Sequence, residues 1–261
     1  MKKKAAAILL AALLLTGCGA AAPSSGTARS TAASSAQPAA SDSAADDSTL
    51  TSTDGYTISR ITLLHSGNRN IQYLRLDGLA NTEAQERWNT YFLDAAAGDK
   101  TQTTPQDTVS DSFSVKTADD SRISVMEQSE YYYSGSAHPF LNVVTLNLDP
   151  ATGALQSLPL WCDTEALAKA ILAGEGCTLT AMDGTTPLEL SELESLNGFS
   201  DEAGLRQVLD GFDFRENAGK DDVTTGWSYW EDGTLHLLFP ATHAVGDWAL
   251  VTMDAGWQPK E

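Results

Sequence analysis

Basic residues are scarce in this chain of 261 residues: 16 Lys and Arg stand against 35 Asp and Glu, a formal net charge of −19. A surface of that sign disfavours nucleic acid and anionic lipid headgroups and favours basic proteins, cationic peptides and divalent ions. Histidine is scarcer. No two of His65, His138, His236 and His243 stand four residues apart, so the His-Glu-x-x-His zinc pattern is missing and no metal or cofactor is expected. A Gly-x-Ser-x-Gly nucleophile elbow is also missing. The nearest approach, Gly135-Ser136-Ala137-His138, joins two predicted strands and has no second glycine. Adjacent acids such as Asp119-Asp120 and Asp221-Asp222 would point to opposite faces of a strand, and none follows a calcium-loop spacing. These absences argue against an enzyme. A wall- or carbohydrate-active enzyme with two carboxylates across a cleft stays open as an alternative, because sequence does not show such a separation. A purely accessory, structural lipoprotein is a further one.

Apolar runs are short, and the chain's first one is the most informative. Lys2, Lys3 and Lys4 precede an apolar stretch from Ala5 to Leu15, which ends in Leu15-Thr16-Gly17-Cys18. A basic segment, a short apolar segment and small residues before a cysteine form a secretory signal. The stretch is shorter than the roughly 20 residues a membrane span needs. Residues 1–17 are therefore read as a lipoprotein signal peptide, with Cys18 as the lipid attachment point on the extracytoplasmic face of the cell membrane. The lipid would be the only link to the membrane. Three of the 16 basic residues leave with the signal, so 13 remain against 35 acids, a net charge of −22. After Cys18, residues 19–54 are mostly Ala, Ser, Thr, Pro and Gly with scattered Asp, one Arg and one Gln, have no aromatic residue, and contain Leu50 as their only large aliphatic. Such a segment buries too little to offset its ordering entropy and reads as a flexible tether.

Residues 55–255 form the folded part, with an N-terminal portion at 55–100 and a C-terminal portion at 107–255. Alternation predicts strands over 56–64 and 71–79, then a helix from Thr82 to Ala97 with Thr82 and Gln85 as a capping box. Strands are predicted over 107–117, 122–133 and 140–148, then a helix over 164–173 and another over 201–210. Asp232-Gly233 makes a hairpin of 227–231 and 234–239, and a last strand covers 247–253. Strands outnumber helices and most links are short. The expected class is α+β, an antiparallel β-sheet with helices packed on one face.

With Cys18 lipidated, Cys162 and Cys177 remain as an even pair in an oxidising compartment, and both a disulfide and two buried thiols are compatible with their spacing. Tyr131, Trp227, Tyr229 and Trp230 are candidates for an aromatic binding platform, although alternate strand positions also supply core.

The stretch from Tyr131 to Trp161 has a Tyr-rich strand, Ser134-Gly135-Ser136-Ala137-His138-Pro139, a strand, Asp149-Pro150-Ala151-Thr152-Gly153, and then a Leu-rich segment. It resembles the extracytoplasmic domain shared by RsiV-like anti-sigma factors and the non-catalytic part of PdaC-like peptidoglycan deacetylases. Asn89 and Gly246 match positions of that module, and Ser136 replaces its second glycine. The resemblance implies an envelope binding domain in which Tyr133, Gly135, Ser136, Ala137 and His138 form a signature turn, structural or ligand-binding. It implies as ligand a cationic protein, lysozyme in the RsiV-like case, or cell-wall glycan. Sigma-factor signalling and deacetylation do not carry over, because the segments that perform them are not recognisable in this sequence.

Overall fold

The computed structural model describes residues 47–98, 100, 103–213, 224–255 and 257. The signal peptide, Cys18 and residues 19–46 of the expected tether lie outside the described residues, as do Asp221 and Asp222. The folded part starts earlier than Gly55. Strand β1 (Ser48–Ser52) pairs with β2 (Thr57–Ser66), which corrects the tether boundary. Polar residues hold this strand through backbone pairing, and Leu50 packs on the core.

The first sheet has six strands in the order β1-β2-β3-β4-β5-β6, with β3 over Arg69–Asp77, β4 over Thr108–Ala118, β5 over Ile123–Tyr132 and β6 over Phe140–Leu148. Helix α1 (Thr82–Ala97) lies between β3 and β4 in the chain. A helical crossover allows the two strands it joins to run parallel. They do so at only two pairs, Arg69 with Val109 and Asn70 with Ser110, and every other pairing in the sheet is antiparallel. The α1 start is capped by Asn81, whose Oδ1 accepts from Ala84 N at 3.0 Å, rather than by a Thr82 box; Gln85 instead accepts from Leu79 N. Gly153 brings the 149–153 turn against α1. Its carbonyl accepts from Trp88 Nε1 at 2.8 Å, and a Cβ at this position would sit 2.2 Å from that of Ala84.

The second sheet has the order β7-β10-β9-β8, with β7 over Cys177–Ala181, β8 over Trp227–Glu231, β9 over Thr234–Pro240 and β10 over Trp248–Met253. Helices α2 (Leu158–Trp161), α3 (Thr164–Ala173), α4 (Leu190–Asn197) and α5 (Glu202–Leu209) complete this half. Strand alternation sorts the residues into layers. Leu237, Phe239 and Val251 pack with Leu167, Leu193 and Leu205 of the helices. Leu238 and Leu250 pack with Met126 and Val143 of the first sheet. On that sheet's other face Leu74, Val125 and Leu146 pack with Trp88 of α1. The α+β class holds, and the single antiparallel sheet becomes two stacked sheets, each with helices on its outer face. Among the described residues no helix is long and apolar enough to cross a membrane.

Polar groups also join the sheets. Thr145 Oγ1 and Asn147 Nδ2 both donate to Ser228 O at 2.8 Å. Ser228 in turn donates to Asp213, through N at 2.6 Å and Oγ at 2.5 Å, and Leu158 N adds a third bond at 2.9 Å. Cys162 and Cys177 are not joined by a disulfide. Each is fixed by its own element, Cys162 N donating to Leu158 O at the end of α2 and Cys177 paired with Met253 across β7 and β10. Burial pushes the Cys177 thiol pKa up.

One side chain fastens α1 to the free edge that β3 leaves after parting from β4. Asn89 Oδ1 accepts from Leu76 N and Asn89 Nδ2 donates to Leu76 O, both at 2.8 Å. Asn89→Leu removes both bonds. It is expected to cost about 1–3 kcal/mol, read as a lower urea midpoint with an unchanged slope.

Candidate binding surfaces

The signature turn joins β5 to β6. Gly135 takes φ +96, a region that a side chain disfavours, and Ser136 N donates to Tyr133 O at 2.9 Å. Ser134 N donates to Asp107 at 2.7 Å, and Asp107 also accepts from Thr104 N and Oγ1. These bonds, led by the one from Ser134, hold the Asp107 carboxyl below its usual pKa. Ala137 and His138 are exposed. His138 stacks on His243 with ring centroids 3.7 Å apart and planes at 10°. His243 Nδ1 lies 3.1 Å from Asp247 Oδ1, and Asp247 Oδ2 accepts from Leu141 N at 2.8 Å. Trp248 Nε1 donates to Leu141 O at 2.9 Å. The outer edge of β6 is thereby fastened to the loop before β10, so His138 faces a partner 105 positions away, with which no motif or spacing pairs it.

The four-residue aromatic platform is not formed. Tyr131, Trp227, Tyr229 and Trp230 are all buried. Tyr229 and Trp230 are neighbours on β8 and point to opposite faces. Tyr229 packs between the sheets against His236, and Trp230 packs toward Trp161 and Arg122. The exposed rings are others: Tyr133 at 43% and Phe140 at 38% on one face of the β5–β6 hairpin, Tyr132 at 37% on its opposite face, and Tyr91 at 40% on α1. Tyr131 supports Tyr133 and Phe140 from below, stacked on Phe140 at 5.0 Å and 9°, while Tyr133 lies 5.8 Å from Phe140. The consecutive tyrosines were visible in the sequence; Phe140, which pairs with Tyr131 across the hairpin, was not.

A concave site lies under α1. Where β3 leaves β4, a cavity of about 160 Å³ opens between the helix and the sheet. Leu74, Phe92, Phe113, Val125, Val144 and Leu146 wall it. Gln72, Lys100 and Glu127 supply polar groups. Lys100 Nζ donates to Asp111 Oδ1 at 2.9 Å, to Glu127 Oε1, and to Ser129 Oγ at 3.1 Å. Asp111 Oδ2 accepts from Gln72 N at 2.9 Å. Burial acts to lower the Lys100 pKa, but the Glu127 and Asp111 carboxylates outweigh it and hold the ammonium above its usual value. Among the described residues no group of three or more His, Cys, Asp or Glu side chains is arranged to hold a metal.

No protein-family model matches this chain, and no curated protein matches it. Among solved structures it is similar to a member of the DUF3298 family from Bacteroides fragilis, with TM-score 0.47 and 10% identity over 79% of this chain and 94% of that one. It is also similar to a DUF3298 family protein from Pseudomonas aeruginosa PAO1, with TM-score 0.39 and 11% identity over 84% of this chain and 96% of that one.

Proposed function

We propose that this chain is a lipid-anchored, extracytoplasmic binding domain of the RsiV-like/PdaC-like type, and that its ligand is a basic protein of the lysozyme kind. The observation that carries the reading is the exposed ring shelf of Tyr133 and Phe140, with Tyr131 beneath them, at the signature turn. It sits in a chain whose net charge becomes −22 once Lys2, Lys3 and Lys4 are lost from 16 basic residues facing 35 acids. Tyrosine is enriched among the residues that dominate protein interfaces, because it offers a large rigid face at small entropic cost. Long-range attraction between an acidic domain and a basic partner speeds encounter and is screened by salt. Anchoring through Cys18 would keep the domain at the membrane surface, where such a partner arrives.

The near-parallel stack of Tyr131 and Phe140 favours one second reading, a cell-wall glycan laid on the rings. One experiment separates the two. The protein is passed over immobilised lysozyme and over purified peptidoglycan at low and at raised salt, beside Tyr133→Ala and Phe140→Ala. Retention on lysozyme at low salt, release at raised salt, and binding at least about tenfold weaker in the variants are expected. Salt-resistant retention on peptidoglycan alone would transfer the site to glycan. Retention on neither would remove both readings.

A further inference from the structure

We infer that the cavity under α1 is a binding site for a small protonated amine with an apolar, single-ring-sized body. The inference does not depend on the ring shelf or on the envelope ligand.

Size comes first. About 160 Å³ is close to the roughly 150 Å³ of an engineered apolar cavity that admits benzene, and well below the volumes that hold drug-sized ligands. Leu74, Phe92, Phe113 and Val125 on the walls suit a hydrocarbon body. Polarity comes second. Gln72 is 4% exposed, and its Oε1 is buried with no hydrogen-bond partner. A buried acceptor left unpaired costs on the order of 1–3 kcal/mol, and an incoming N–H would remove that cost. Glu127 uses Oε1 for Lys100 and Ser129, while its Oε2 takes no hydrogen bond among the described residues. The cavity therefore offers unpaired acceptors, Gln72 Oε1 and Glu127 Oε2, to an incoming donor, while the Lys100 ammonium is already spent on Asp111, Glu127 and Ser129.

Charge comes third. One ammonium, Lys100, faces two carboxylates, Asp111 and Glu127, at the polar end of the cavity. One negative charge is left over in a partly buried place, where screening is weak. A ligand cation supplies what the cluster lacks, and the Phe92 and Phe113 rings add faces on which a cation is also stable. An apolar ammonium meets all three conditions. A neutral alcohol of the same shape meets two, and a carboxylate meets one.

The test uses phenethylamine, 2-phenylethanol and 3-phenylpropanoate as probes of one shape and three charges, titrated into the full chain and followed by calorimetry and by shifts of Tyr and Phe ring resonances. The amine is expected to bind saturably and at least about tenfold more tightly than the alcohol, with no binding of the acid. Glu127→Gln should lower the amine's affinity about tenfold and leave the alcohol's unchanged. Ala95→Phe, a substitution at an exposed position of α1 that lines the cavity, should abolish binding of both while the urea midpoint stays in place. Equal affinity for acid and amine, amine binding unmoved by both variants, or no saturable amine binding would each overturn the inference.

Discussion

Between pH 4 and pH 7 the folded protein is expected to lose about 4 kcal/mol of stability through one carboxyl group, Asp213. Its side chain is fully enclosed, and burial outweighs the hydrogen bonds from Ser228, Leu158 and Thr145, pushing its pKa from 3.8 up to about 7. In the unfolded chain the same group ionises near its ordinary value. Over the interval between the two values the folded state keeps a proton that the unfolded state has released, so stability falls as pH rises, by up to about 1.4 kcal/mol per pH unit. Above pH 7 both states are ionised and this contribution is flat. Urea denaturation across the range should show the fall in the parent protein and lose it in Asp213→Asn. An identical fall in that variant would assign the effect elsewhere. Asp213→Ala should be harsher at every pH, because it leaves Ser228 N and Leu158 N without their acceptor, at a cost of about 2–6 kcal/mol for two buried donors.

Lys100→Met is expected to cost about 3–5 kcal/mol, the usual penalty for removing one partner of a buried ion pair. The loss follows from what stays behind. Asp111 and Glu127 would share one end of the cavity with no cation, and the Asp111 side chain is wholly enclosed. Adding Glu127→Gln to Lys100→Met should recover part of the loss by removing one of the two unmatched charges. Calorimetric melting of the parent, the single and the double variant checks this. A single variant as stable as the parent would show that the cluster is dispensable to the fold, and a double variant less stable than the single one would rule out repulsion as the cause.

Much of the fold was legible because its elements carry strong periodic signals. The α1 boundaries follow from Ala84, Trp88 and Phe92 at helical spacing, and the β8–β9 hairpin follows from Asp232-Gly233 between alternating residues. Strands β1 and β7 were not legible. Ser48–Ser52 and Cys177–Ala181 are short and rich in Ser and Thr, and they are strands because a neighbouring strand pairs with them. The aromatic platform failed for a local reason. Trp227 and Tyr229 share a face that Trp230 leaves, and the first sheet covers the one face while the helices cover the other. The cavity under α1 had no sequence signal at all. Gln72, Lys100 and Glu127 are ordinary surface residue types, and they converge only because β3 and β4 separate after two pairs. Asp213 was hidden in the same way, since its partners Thr145, Leu158 and Ser228 come from three separate segments.

The brevity of the β3–β4 junction bears on how the chain reaches its native state. Strands β1, β2 and β3 with α1 form one continuous stretch of sequence, and β4, β5 and β6 form another, each closed by antiparallel neighbours a short loop apart. Contacts between residues near in sequence form fast, whereas distant and parallel pairings wait on costly loop closure. Two parallel pairs are too few to nucleate the union of these stretches. Docking of α1, with Trp88 on the 149–153 turn, ties the two local meanders together, and the topology predicts that this contact forms late in folding.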